Sequence, residues 1–262
     1  MNYFKIAAIQ FGMKWEDKEH NFSLLRELMI SITDKDLLLL PETFSTGFTM
    51  NSKLFCEERL GQTESFLKEM AQKTNALVGG GWIEANSKGL PFNTFSLVSP
   101  EGNFWRYRKI HPFSFAGEDQ YFSAGSEVLT FSWRGVNITP LVCYDLRFPE
   151  VFRSSVGKTD LFTVIGNWPS TRIHHWLALL KARAIENQAY TIGVNRVGVA
   201  GKVKKLSHNG YSGFFSPLGA ETILKSESQE VLEVSFSMNE LKRVREEFPY
   251  LRDIRGIGIN FG

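Results

Sequence analysis

Val136-Asn-Ile-Thr-Pro-Leu-Val142 runs directly into Cys143-Tyr-Asp-Leu-Arg-Phe-Pro149. The first half is a short apolar run and fits a buried β-strand. The second half is a turn whose last residue, Pro149, suits the first position of a helix. Cys143 stands at the corner between them. Such a corner lifts a side chain off a sheet edge and presents it to a ligand, as a nucleophile elbow does for serine. A thiol placed there is a candidate nucleophile.

Working outward from this corner, strands and helices alternate. Strands are expected at Phe4–Gln10, Asp36–Leu40, Ala76–Ile83, Val136–Val142, Asp160–Ile165, Tyr190–Asn195, Gly210–Phe215 and Glu230–Phe236. Asn93–Val98 and Phe104–Arg108 read as a hairpin around Pro100-Glu-Gly102. Phe22, Leu25, Met29 and Ile32 recur at helical spacing, and Gln62–Thr74 and His175–Gln188 are helical as well. Met238–Phe248 reads as a charged, exposed helix. No linker or repeat interrupts the pattern. The expectation is a single α/β domain over 1–262, with a core of about 4–253 and a C-terminal tail of 254–262.

Composition removes several function classes. The 262 residues carry 30 basic and 28 acidic side chains, a net charge of +2, with no basic stripe for nucleic acid. No apolar stretch approaches a membrane span. The first ten residues lack a basic n-region and a cleavage site, so no signal peptide is expected. Two cysteines far apart make no disulfide framework, and a reducing cytoplasm is the simplest location. Cys56, in a charged stretch, reads as a plain free thiol.

Cleaving an amide or nitrile through a thiol needs a base for the thiol proton, a positive partner for the oxyanion, and an acid for the leaving amine. Five histidines are present, at 20, 111, 174, 175 and 208, and none stands in a context that favours a Cys–His pair. Glu42 follows an expected strand and Pro41, at the carboxyl edge where open α/β sheets bind ligands. Lys109 ends the expected strand Phe104–Arg108.

Leu38-Leu-Leu-Pro-Glu42-Thr-Phe, Tyr107-Arg-Lys109-Ile-His and Val142-Cys143-Tyr-Asp-Leu-Arg-Phe-Pro resemble, in this order, the three signature blocks of the nitrilase superfamily of carbon–nitrogen hydrolases. The resemblance spans about Phe4 to Asp253. It implies an α-β-β-α sandwich, paired sheet to sheet in a homodimer or higher homo-oligomer. It also implies that Cys143 is the nucleophile, Glu42 the general base and then acid, and Lys109 the oxyanion stabiliser. A backbone N–H near Tyr144 would help Lys109. Glu118, in Phe115-Ala-Gly-Glu118-Asp-Gln, matches a second glutamate of the family, which orients the lysine or the substrate amide.

Gly166-Asn-Trp168-Pro-Ser-Thr-Arg172, Leu180-Lys-Ala-Arg-Ala-Ile-Glu-Asn187 and Gly193-Val-Asn-Arg-Val-Gly198 look like the omega-amidase group. Members hydrolyse the terminal amide of 2-oxoglutaramate, 2-oxosuccinamate or succinamate-like monoamides to a dicarboxylate and ammonia. Such a small-molecule amide carries a carboxylate, for which Arg172 is a candidate partner. Phe44, Phe48, Tyr144 and Trp168 are candidates for the apolar walls, and Trp176 is assigned to core packing. Two alternatives stay open: another amidase of the same chemistry, such as a deaminated-glutathione amidase, carbamoylase or aliphatic amidase, and a non-catalytic scaffold.

Asp145 and Arg147 read as an ion pair or as backbone anchors of the Cys143 turn. Gly79-Gly-Gly81 precedes strand-like sequence rather than a helix, so it serves close packing and not phosphate. His174 and His175 are adjacent and have no third ligand at a usual spacing. No metal and no organic cofactor is expected.

Overall fold

The structure is a computed structural model and describes residues 3–201, 205–224 and 227–255. Of the expected tail 254–262, residues 256–262 lie outside the described residues. Among the described residues, twelve strands form two six-stranded sheets. The first contains β1 (Tyr3–Gln10), β2 (Leu37–Leu39), β3 (Leu77–Glu84), β4 (Phe92–Val98) and β5 (Phe104–Arg108), with β14 (Glu230–Ser237) beside β1. The second contains β6 (Phe131–Trp133), β7 (Val136–Val142), β8 (Leu161–Ile165), β9 (Tyr190–Val194), β12 (Gly213–Phe215) and β13 (Glu221–Ile223). A separate hairpin, β10 (Val197–Ala200) with β11 (Leu206–Asn209), follows β9.

Each sheet has three parallel strands at its centre: β1, β2 and β3 in one, and β7, β8 and β9 in the other. Parallel strands are buried on both faces, and the sequence shows this in Leu37-Leu-Leu-Leu40. Leu37 and Leu39 belong to the core cluster that also takes in Ile138 and Val142 of β7. Leu38 and Leu40 face the opposite way, into a second cluster with Phe22, Leu25, Phe66 and Met70. Those four side chains come from α1 (Lys18–Met29) and α3 (Gln62–Thr74), which therefore cover the outer face of the first sheet.

On the far side, α5 (Ile173–Asn187) packs on the face of β9 that carries Gly193, where a Cβ would lie 2.4 Å from Leu180 and 2.6 Å from Trp176. The order of layers is α-β-β-α. Two short helices, α2 (Ser52–Phe55) and α4 (Pro149–Arg153), complete the connections. The last helix, α6 (Met238–Glu247), is less exposed than its charge suggests. Leu241 and Val244 are buried, and Arg245 reaches Asp160 at 2.9 Å.

Candidate active site

The catalytic candidates leave three different strand ends and meet. Glu42 follows β2, where the chain is drawn tightly against β3. Phe44 N donates to Gly81 O at 3.0 Å and Gly81 N to Pro41 O at 3.2 Å. A Cβ on Gly81 would lie 2.6 Å from Thr43 N and 2.8 Å from Glu42 Cα, so the position needs glycine.

Thr43 then takes a left-handed φ of 44°, which turns the next side chain under the sheet. Phe44 is consequently not on the wall of the site. It is fully buried in the outer core, 5.8 Å from the ring of Phe66, and fills the space left by the missing Cβ of Gly80. The expectation for Phe44 is corrected on this ground.

Lys109 follows β5 and is 1% exposed. Its Nζ donates to Glu118 Oε2 at 2.7 Å, Glu118 Oε1 at 3.1 Å and Glu42 Oε1 at 3.0 Å. Two asparagines complete the cluster. Asn93 Nδ2, from β4, donates to Glu42 Oε1 at 2.8 Å and Glu118 Oε1 at 3.0 Å. Asn167, just after β8, donates its backbone N–H to Glu42 Oε2 at 2.9 Å and its Nδ2 to the same oxygen at 3.2 Å. Phe113 N donates to Glu118 Oε2 at 2.5 Å. Buried carboxylates are sustainable only with such a full set of donors.

Cys143 has a φ of 47°, a left-handed corner between β7 and the 3₁₀ turn Cys143–Arg147. Strain of this kind costs on the order of 1–3 kcal/mol and needs support from its surroundings. Asp145 supplies that support. It accepts the Tyr107 hydroxyl at 2.8 Å, His111 N at 2.9 Å, His111 Nδ1 at 2.9 Å and Val142 N at 3.2 Å. Asp145 is thus the anchor of the turn, and the expected ion pair with Arg147 does not form. Arg147 turns the other way, with its Cζ 5.0 Å from the ring centroid of Trp168.

Burial and the nearby Glu42 charge push the Cys143 thiol well above its usual range, against the pull of Lys109. No histidine is among the groups that set it. The resting thiol therefore carries its proton, and attack requires a base. Burial opposes the charge on Lys109, but the carboxylates of Glu118 and Glu42 outweigh it and raise the ammonium above its ordinary value. Burial also raises Glu118, while Lys109 draws it back.

Cys143 opens on a cavity of about 300 Å³. Glu42, Phe48, Tyr144, Trp168, Arg147 and Arg172 are on its wall. Trp168 is fixed at both ends, its N–H on Asn195 Oδ1 and its Nε1 on Arg172 O, each at 2.8 Å. The Arg172 guanidinium lies 5.4 Å from the ring centroid of Phe113. Among the described residues neither Arg147 nor Arg172 is paired with a carboxylate, and Glu42 is the one carboxylate on the wall. Trp176 donates Nε1 to Tyr211 O and packs in the core. Cys56 lies away from the cavity, with its Sγ against Lys53 O.

Asn93, Asn167, His111 and the anchoring role of Asp145 over the Tyr107 hydroxyl are visible only in the folded chain. Asn167 has a usable signal, since it follows the expected strand Asp160–Ile165 at the carboxyl edge of the sheet. Asn93 has none, because a polar residue inside a strand is usually solvent-facing.

The carbon–nitrogen hydrolase family model matches residues 5–246. The chain is 38% identical to omega-amidase YafV of Yersinia enterocolitica over 256 residues, 97% of each chain. It is 31% identical to 2-oxoglutaramate amidase of Bacillus subtilis over 255 residues, 95% of this chain and 97% of that one. Among solved structures it is similar to XC1258 of Xanthomonas campestris, a CN-hydrolase superfamily protein with an arsenic adduct in its active site. That similarity has a TM-score of 0.94 at 32% identity, covering 99% of this chain and 100% of the other. With the family model and these relatives matching nearly its whole length, the chain belongs to the carbon–nitrogen hydrolase family of the nitrilase superfamily and is a hydrolase of carbon–nitrogen bonds other than peptide bonds.

Proposed function

We propose that the protein is an omega-amidase, which hydrolyses the terminal amide of 2-oxoglutaramate, 2-oxosuccinamate or succinamate to the dicarboxylate and ammonia. One observation carries this. The Cys143 thiol, at a strained corner, shares a cavity wall with Glu42, and among the described residues the guanidinium groups on the same wall have no acidic partners. The relatives named omega-amidase and 2-oxoglutaramate amidase support the same substrate class.

Glu42 takes the thiol proton as Cys143 Sγ bonds to the amide carbon, and the carbonyl oxygen becomes an oxyanion stabilised by Lys109. Glu42 returns the proton to the nitrogen, the C–N bond breaks and ammonia leaves. The acyl group stays on Cys143 as a thioester. A water then attacks the thioester carbon as Glu42 takes one of its protons. The C–S bond breaks, the dicarboxylate departs, and the proton returns to sulfur. Lys109, held by Glu118 and Glu42, is preorganised and needs no rearrangement when charge develops. Acid quenching during succinamate turnover followed by peptide mass analysis tests the sequence of steps. A succinyl group on the Cys143 peptide is expected; a wild-type enzyme that turns over with no adduct there contradicts it.

The chain is also proposed to self-associate. Ile185, Leu218, Phe248 and Tyr250 are exposed apolar groups, and the Tyr250 hydroxyl donates to Ile185 O. Light scattering on the purified chain tests this, with a dimer or larger mass expected and a monomer across micromolar concentrations as the contrary result.

A further inference from the structure

We infer that Asn167 is a positioning residue for the hydrolysis, which aims Glu42 at the Cys143 thiol and keeps one backbone N–H in place for the negative charge as it passes from carboxylate to sulfur. This inference rests on the proposed amide hydrolysis at Cys143 and gives a role to a residue that the sequence leaves without one.

Asn167 lies two residues beyond β8 of the second sheet, whereas Glu42 follows β2 of the first. It therefore reaches the base from across the sandwich. Its path is fixed on both sides. Gly166 N donates to Val194 O at 2.9 Å. Asn195 holds Trp168 by two bonds, accepting its backbone N–H at 2.8 Å and donating Nδ2 to its carbonyl at 3.0 Å. The segment also passes directly beside the nucleophile, since a Cβ on Gly166 would lie 3.9 Å from Cys143 Cα.

Held in this way, Asn167 turns its donors to the base. Its backbone N–H donates to Glu42 Oε2 at 2.9 Å, and Nδ2 faces the same oxygen at 3.2 Å, Glu42 O at 2.8 Å and Thr43 Oγ1 at 3.2 Å. The other carboxylate oxygen, Oε1, belongs to Lys109 and Asn93. Each oxygen thus has its own pair of donors, and the carboxylate cannot turn without giving up both pairs. The side-chain amide is oriented too, because a carbonyl arm could not face Glu42 O and Glu42 Oε2. Asn167 is 8% exposed, so these bonds are shielded from water.

The same backbone N–H favours the Cys143 thiolate. The charges around that sulfur are Glu42 and Glu118, which oppose the thiolate, and Lys109, which favours it. When Glu42 takes the thiol proton, negative charge leaves the carboxylate and appears on sulfur. A donor already within reach of both groups needs no reorganisation as the charge moves. The Nδ2 bonds keep that donor and the base in register through the step.

The test uses Asn167→Leu, which removes the side-chain donors at similar volume, with Asn167→Ala as the second variant should the first not fold. Two quantities are measured on each folded chain: steady-state kinetics with succinamate, and the rate of Cys143 alkylation by iodoacetamide at a fixed, mildly alkaline pH, read by mass on the Cys143 peptide. A loss of roughly 10- to 100-fold in kcat is expected with KM little changed, because the donors face Glu42 rather than substrate. Alkylation should slow about tenfold, the effect of a thiol one pH unit less acidic. Asn167→Gln returns an NH2 group and should recover part of both. A merely structural residue would lower stability without moving the alkylation rate of the folded variant. Wild-type kcat and alkylation in a folded Leu or Ala variant overturn the inference and leave the omega-amidase proposal standing. A defect confined to KM also overturns it, by making Asn167 a substrate-binding residue. A wild-type chain that releases no ammonia from succinamate overturns both.

Discussion

The Tyr107 hydroxyl donates to Asp145 Oδ2 at 2.8 Å, and so ties the strand that leads to Lys109 to the turn that carries Cys143. Tyr107 lies in the first sheet and Asp145 in the turn that follows β7 of the second, so the bond crosses the sandwich at the level of the chemistry. Tyr107→Phe leaves a buried carboxylate one donor short. It should cost roughly 1–3 kcal/mol of stability and lower kcat more than it changes KM. Urea unfolding and steady-state kinetics check this; a variant with wild-type stability and kcat contradicts it.

Glu118 and Lys109 form the shortest contact of the lysine, at 2.7 Å. Glu118→Gln keeps the shape and removes one of the two charges that hold the ammonium. A loss of roughly 100-fold in kcat is expected, with KM little altered. A variant whose defect lies wholly in KM would assign Glu118 to substrate binding instead.

Phe44 and Phe48 separate packing from recognition. Phe44→Ala empties a buried site between α1, α3 and β3 and should cost roughly 3–5 kcal/mol. Phe48→Ala opens a cavity wall and should act chiefly on KM. Thermal unfolding beside kinetics distinguishes the two, and an equal loss of stability in both variants counts against this division.

His208 gives stability a pH dependence. Burial first, then the Arg196 charge, lowers it from 6.5 to about 4. The folded state therefore keeps His208 neutral where the unfolded chain takes up a proton. The associated stability is complete above about pH 6.5 and is lost as pH falls towards 4. The full effect is on the order of 3 kcal/mol. His208→Gln should flatten the fall in urea midpoint between pH 7 and pH 4.5; an unchanged slope would place the acid sensitivity elsewhere.

Much of the fold and of the site is legible in the amino-acid sequence. Leu37–Leu40 and the runs at β7 and β8 are apolar on both faces because parallel strands are buried on both, so the layers follow from pattern. Glu42, Lys109 and Cys143 stand out because each closes a strand. Contacts made by the backbone path are not legible in this way. Thr43 bends the chain with a positive φ and sends Phe44 into the core, a reversal that no extended pattern announces. The strand expected from Gly210 begins at Gly213, because Gly210 and Tyr211 both have positive φ. The β10–β11 hairpin is short and flanked by glycine and lysine, so it has no clear alternation. Adjacency in sequence suggests a structural role for Arg147 beside Asp145, whereas the 3₁₀ turn points the two in different directions.

The most direct measurement is ammonia release from 2-oxoglutaramate and succinamate by the wild-type chain and by Cys143→Ala. Turnover of both substrates that disappears in the variant is the predicted result. A folded wild-type enzyme with no turnover of either, or a Cys143→Ala variant that retains wild-type activity, would contradict the proposed omega-amidase.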